Sequence, residues 1–285
     1  VGLGASLAVL TSIIIIHNIF AATQDVAIDA LAVTSLKEDE RGMAGGLTFA
    51  GQYLGQAIGG AGALFLVSWV GFSNTFYFVV AAILAVTVFV VLPLREPVIE
   101  RLVATGSGLQ RVLNEIAQFS RDAWKSFASS RASLLGLVFA LLPAGAMALA
   151  LSLAQTLAVD LGFDDETLGS WNLWTTILQG AGCILGGWLS DKLGRRTSLT
   201  VAIIAMAPVT LWVSWALWRI DWIHPIDAAQ RSSLIVPASI VTVFWLATLI
   251  YSLANGMMYG ARAALFMDLS NPRVAASQFT AYMAG

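Results

Sequence analysis

The chain has 285 residues, of which 58% are hydrophobic and only 11% charged, against about 45–50% and about 25% in soluble domains. Apolar runs recur along its whole length, which excludes both a soluble globular protein and a single anchor on a soluble domain. The formal net charge of −2 indicates no class of partner, and no basic aromatic surface suggests nucleic acid.

The runs are continuous for about 20 residues rather than alternating over about ten, so helical spans are expected and a barrel is not. The predicted fold class is an all-α polytopic membrane protein. A first span is expected over about Gly4 to Leu36, closed by the charged stop Lys37-Glu38-Asp39-Glu40-Arg41-Gly42, and a second over about Met43 to Val70. A third follows the turn Gly71-Phe72-Ser73-Asn74 and runs to about Leu94, where Arg95-Glu96-Pro97 breaks the pattern. Residues 98–131 are the only extended polar region. Within them Leu109, Val112, Leu113, Ile116, Phe119, Ala123, Trp124 and Phe127 recur at helical spacing, so an amphipathic helix on the membrane surface and an interdomain linker are expected here.

A fourth span is placed at about Ala132 to Val159, followed by an acidic loop from Asp160 to Glu166. The fifth, about Leu168 to Leu189, ends at the loop SDKLGRR, and the sixth covers about Ser198 to Trp218. A loop holding Asp221, His224, Pro225 and Asp227 leads to a seventh, about Leu234 to Leu269, which Asn271-Pro272-Arg273 closes before an eighth begins near Val274. The chain opens in membrane-like sequence without a basic leader or cleavage site and stops inside this eighth run, so it is expected to be part of a longer polypeptide.

Cytoplasmic loops should hold the lysines and arginines. With loops 37–42, 95–131, 190–197 and 271–273 placed inside, only Arg219 and Arg231 of the 15 basic residues fall outside, and only Arg262 lies within a span. Trp212, Trp215, Trp218 and Trp222 then cluster at the outer end of the sixth span, as an interfacial anchor would. Cys183, the single cysteine, falls in an apolar span and is read as a buried, inert thiol.

Ionisable groups inside spans are costly and mark function by default. At about 1.5 Å per residue, Asp29 lies roughly 12 Å and Asp25 roughly 18 Å from Lys37 at the inner surface. Asn18, Asp25 and Asp29 share one stripe of the first span, with His17 and Gln24 beside it. The seventh span carries Asn255, Tyr259 and Arg262, the arginine roughly 15 Å from Pro272. Three readings of the aspartates stay open: a site for a proton or a cationic solute group, a permanent structural network, or exposure at a cavity mouth. Arg262 suits a solute carboxylate or phosphate, because its planar fork matches such groups; a fixed bond to Asp25 or Asp268 is the alternative. His17 is either a proton relay or a packing residue, His224 is expected to be solvated, and Gln155, Asn172 and Gln179 are further polar candidates in the fourth and fifth spans.

Gly51, Gly55 and Gly59, like Gly182 and Gly186, are spaced by four within spans, which predicts close helix packing and not a phosphate loop. No catalytic serine, cysteine or metal-ligand constellation emerges, so neither an enzyme nor a metal site is expected.

The stretch Gly187-Trp188-Leu189-Ser190-Asp191-Lys192-Leu193-Gly194-Arg195-Arg196-Thr197-Ser198-Leu199 resembles the signature of the major facilitator superfamily, G-x-L-a-D-r-x-G-r-[KR]-x-x-l. Gly187 would allow close helix approach, a neighbouring helix N-terminus could stabilise Asp191, and Arg195 could pair with it; Gly194 and Arg196 complete an inner gate that breaks and reforms as two bundles rock. The same basic residues also set topology. Taken as the second-bundle copy of the signature, the motif implies that the chain covers about spans 4 to 11 of 12. Residues 1–97 would then end the first six-helix bundle (spans 4–6), 98–131 form the cytoplasmic central loop, and 132–285 supply spans 7–10 and the start of 11. That architecture makes the first and seventh spans here cavity-lining, which places Asp25, Asp29 and Arg262, with Asn18, Gln24, Tyr259 and Asn172, in the expected solute and proton cavity.

The stretches ATQDVAIDALAV at 22–33, KEDERG at 37–42, LGFDDETLGSWN at 161–172 and MDLSNPRVAASQF at 267–279 look like the AmpG-type muropeptide permeases, and TQDVAIDA is also similar to the acetyl-coenzyme A transporters. The resemblance implies a monomeric carrier in a bacterial inner membrane, without cofactor, that takes up an anionic sugar-peptide with proton coupling by alternating access. An acetyl-coenzyme A or siderophore carrier is the alternative within that class. A non-transporting membrane assembly factor of facilitator fold is the alternative outside it.

Overall fold

The computed structural model describes residues 3–94, 131–222, 236–270 and 275–284, with scattered positions between 114 and 125. Every element among them is helical. In chain order these are α1 (Leu3–Ser35), α2 (Arg41–Gln56), a π-helical turn (Ala57–Gly62), α3 (Ala63–Val70), α4 (Phe72–Val86), a second π-helical turn (Thr87–Val91), α5 (Arg131–Asp160), α6 (Asp165–Leu193), α7 (Arg195–Arg219), α8 (Ala238–Leu269) and α9 (Ala275–Ala284). The second predicted span is thus a rod broken once by a wide turn at the glycine-rich Ala57–Gly62, where missing side chains weaken the helix.

Four stretches among the described residues are long and apolar enough to cross a bilayer: Leu7–Ser35, Phe72–Val91, Arg195–Arg219 and Ala238–Leu269. The protein is therefore a multi-pass, all-α integral membrane protein. The expected amphipathic helix and central loop at 98–131 lie largely outside the described residues, as do the loop around His224 and the closing loop 271–273.

Helix ends follow local chemistry. The Asp164 side chain accepts from Thr167 N–H at 2.9 Å and caps α6. That bond holds the exposed Asp164 carboxyl below its ordinary range. Pro237 directly precedes α8, where a missing N–H costs the helix nothing. The signature stretch corrects one expectation: no loop runs from 190 to 197. Ser190 to Leu193 finish α6, Gly194 alone forms the turn at φ 87°, and α7 begins at Arg195. A residue with a Cβ would be strained at that angle, so the glycine makes the one-residue turn possible.

The helices form two compact units, each discontinuous in sequence and each drawing helices from both sides of the 98–131 segment. The first comprises 1–37, 97–145 and 266–285; the second comprises 38–96 and 146–265. In the first, α1 packs on α9. Val33, Ala140, Phe266, Met267, Phe279 and Tyr282 form its core. Tyr282 stacks on Phe266 at 5.0 Å and donates its hydroxyl proton to the Ser133 carbonyl at 3.1 Å, which satisfies the polar tip of a fully buried ring.

In the second unit α2 lies along α6, and α6 also packs on α7. A second core in this unit is formed by Ala158, Leu161, Trp171, Ala216, Ile240 and Phe244. Trp171 donates its indole N–H to Thr248 at 2.8 Å. Elsewhere α2, α6 and α8 approach so closely that no Cβ fits. One added at Gly182 would overlap the Leu253 backbone, at Gly186 that of Met257, and at Gly256 or Gly260 that of Gln179 or Cys183. Cys183 is buried in this seam, as expected of an inert thiol. The packing predicted for Gly182 and Gly186 is present; that predicted for Gly51, Gly55 and Gly59 is not. A Cβ at any of those three meets nothing within 4 Å, because α2 presents Gly42, Gly45 and Gly46 to its neighbours instead.

Candidate functional site

Asp191 sits near the end of α6, opposite the start of α2. Its two carboxylate oxygens accept from the backbone N–H groups of Gly42 at 2.9 Å and Met43 at 2.7 Å. These are unsatisfied donors of a helix N-terminus, and they carry the positive end of its dipole, so a carboxylate is the natural partner. The approach requires glycine on both sides, since a Cβ at Gly42 would overlap Asp191 and the Gly187 carbonyl, and one at Gly187 would overlap the Gly42 carbonyl. Arg195, at the first position of α7, pairs with Asp191 and also donates to the Glu38 carbonyl and, at 3.3 Å, to Ser190 Oγ. One carboxylate thereby joins the start of α2, the end of α6 and the start of α7. Arg196 is exposed and stands outside this network, and the Lys192 ammonium lies over the Trp188 ring at 4.1 Å.

Sequence reasoning anticipated Asp191, Gly187 and Arg195 but not which helix Asp191 would cap. Gly42, Gly45 and Gly46, all on one face at the start of α2, were the available signal.

In the first unit the expected stripe on α1 divides. Asn18, Gln24 and Asp25 are exposed, as is His17. Asp29 is 8% exposed and its Oδ2 accepts from Thr280 Oγ1 of α9 at 2.6 Å. The reading in which Asp29 simply faces water at a cavity mouth is therefore corrected: α9 covers it. Thr280 was missed because one threonine in an apolar run carries no periodic signal.

In the second unit Arg262 is 4% exposed on α8, with its guanidinium over the Tyr259 ring at 5.0 Å. Tyr259 in turn packs against Phe49 of α2, ring centroids 5.1 Å apart. Tyr53, one turn further along α2, lies within electrostatic range of both Tyr259 and Arg262, and its Oη accepts from Gln179 Nε2 of α6 at 2.6 Å. Asn172, two turns from Gln179 on the same helix, is exposed and takes no part. Tyr53 was not singled out from the sequence; only the α2–α6 packing brings it to Arg262. No group of three or more metal-ligating side chains occurs among the described residues.

A polytopic helical membrane protein with a carboxylate lock at a helix–glycine–helix turn and buried ionisable groups at membrane depth has the anatomy of a solute carrier. The family model of the Major Facilitator Superfamily matches residues 1–285. The chain belongs to that family and is a secondary transporter by that membership, acting on a small-molecule solute within a lipid bilayer. No individual curated protein matches it.

Proposed function

We propose that the protein carries an anionic solute by alternating access, driven by protons, and that the solute is a muropeptide-like sugar-peptide. The observation that carries the anionic reading is Arg262, a guanidinium 4% exposed within the apolar stretch Ala238–Leu269. A cation held there is costly and calls for groups that compensate it, and in a carrier an anionic solute is one such group. Arginine rather than lysine suits a planar carboxylate, which it grips through two parallel hydrogen bonds.

Asp29 supports the proton reading. It is a buried carboxylate with one hydroxyl partner, able to gain a proton without losing that contact, since a protonated carboxyl and a threonine hydroxyl can each donate to the other. Asp25, exposed, is the weaker candidate. The Asp191–Arg195 lock is proposed as the inner gate: it joins three helix ends through groups that water can replace once they separate. The carrier is proposed to work as a monomer in a bacterial inner membrane, with its basic loops on the cytoplasmic side.

The test is uptake by the full-length protein in proteoliposomes under an imposed pH gradient, with a radiolabelled anhydromuropeptide as solute. Wild type is expected to accumulate it, Asp29→Asn to lose gradient-driven accumulation while keeping exchange, and Asp25→Asn to keep both. Accumulation of acetyl-coenzyme A instead would replace the solute class. Failure to move either compound would favour a membrane assembly role.

A further inference from the structure

The polar groups around Arg262 in the second unit form a more specific arrangement than an isolated arginine. Asn255, Tyr259 and Arg262 follow the spacing i, i+4, i+7 and share one face of α8. Helical side chains lean toward the N-terminus, and the Arg262 guanidinium accordingly lies over the Tyr259 ring. The guanidinium thus rests against an aromatic face, and Phe49 packs on that ring. From α2 and α6 come Tyr53 and Gln179, bonded so that the tyrosine oxygen accepts and its own O–H remains able to donate.

Asn255 adds the decisive observation. Its Oδ1 is buried and receives no hydrogen bond. A buried acceptor left without a donor is costly, and an apolar residue of similar size would remove that cost. Its position on the face that carries a buried arginine two helical turns further on is explained if a solute brings the missing donor.

We propose that this face of α8, with Tyr53 and Gln179, is a recognition site for a solute carrying two groups: an acid, held by Arg262 with help from the Tyr53 hydroxyl, and an N–H or O–H donor set apart from the acid along the same face, received by Asn255 Oδ1. Hydroxy acids, acyl-amino acids and the acid–amide ends of peptides fit; simple carboxylates and inorganic phosphate fill only half of it. The inference deepens the anionic-solute reading and rests on it.

The test is equilibrium binding to the intact protein in detergent, followed by tryptophan fluorescence, with 4-hydroxybutyrate, butyrate and 1,4-butanediol as probes. In wild type, 4-hydroxybutyrate is expected to bind about fivefold more tightly than butyrate, the increment of one net hydrogen bond, and the diol is expected not to bind. Asn255→Leu should bring the two acids to equal affinity and, having lost an orphan acceptor, should unfold at a higher temperature than wild type. Arg262→Gln should abolish binding of both acids. Equal binding of the two acids by wild type, binding of neither, or an Asn255→Leu variant that is destabilised yet still discriminates would each overturn the site. The measurement involves no proton gradient, so failure of proton coupling in vesicles leaves it standing. Conversely, equal binding of the acids beside working proton-driven uptake overturns this two-group site and leaves the anionic-solute reading standing.

Discussion

Two glycine stripes in this chain have the same spacing and different surroundings. Gly182 and Gly186 of α6 meet the Leu253 and Met257 backbone of α8 in a seam where Gly256 and Gly260 of α8 in turn meet Gln179 and Cys183, whereas Gly51, Gly55 and Gly59, along α2 and into the turn after it, face open space. Spacing by four makes a smooth helix face; it does not supply a surface to meet it. The packed seam holds Cys183 buried and carries α2, α6 and α8 past one another at the distance that lets Tyr53, Gln179, Tyr259 and Arg262 converge. The contrast can be tested by substitutions on and off the seam.

The largest effect is expected for Gly186→Val. Its branched side chain would be driven into the Met257 backbone, which cannot rotate away, at a cost at the top of the overpacking range, about 3 kcal/mol. Loss of a monodisperse peak in detergent chromatography would register it; a well-behaved variant would show that the seam opens readily. Next comes Asp191→Asn, which loses the ion pair to Arg195 and the charge in the bonds to Gly42 and Met43. About 1.5–3 kcal/mol is expected, since hydrogen bonds to a charged group are the strong ones, read as a lowered midpoint of thermal unfolding.

Thr280→Val removes the hydroxyl that Asp29 accepts from and leaves a buried carboxylate without that donor, for about 1–3 kcal/mol. An unchanged midpoint would show that water takes the hydroxyl's place. Asp164→Ala, away from both stripes, tests a cap rather than a seam and should lower stability modestly. Because the folded Asp164 carboxyl titrates below its ordinary range, its contribution is present at neutral pH and disappears as the pH falls through that lowered range. Wild type and Asp164→Ala should therefore converge in strongly acidic buffer. The smallest effect is expected for Gly55→Ala, within about 0.5 kcal/mol of wild type as for an unconstrained surface position. A large loss there would show that the open stripe is occupied when the protein works.

Much of the fold was legible in the sequence because the bilayer is a simple solvent. Backbone groups must be satisfied within each span, so long apolar runs become helices, and the sorting of lysine and arginine orders them. The signature from Gly187 to Leu199 was legible for a related reason: glycine at 194 and a carboxylate at 191 have few substitutes in a one-residue turn beside a helix N-terminus. The site was legible only in part. Arg262 and Asp29 announced themselves as charges in apolar surroundings, while Tyr53 and Thr280 are ordinary amphipathic residues whose importance lies in what faces them.

Composition and pattern by themselves determined that this is an all-α, multi-pass membrane protein with ionisable groups at depth. Only tertiary structure decided that Asp29 is covered and Asp25 is not, that Asp191 caps α2, and which glycines pack. The physical reason is that burial of a span's apolar surface in lipid is a property of each segment alone. A hydrogen bond or a close glycine contact is a property of two surfaces, and a linear sequence specifies one of them at a time.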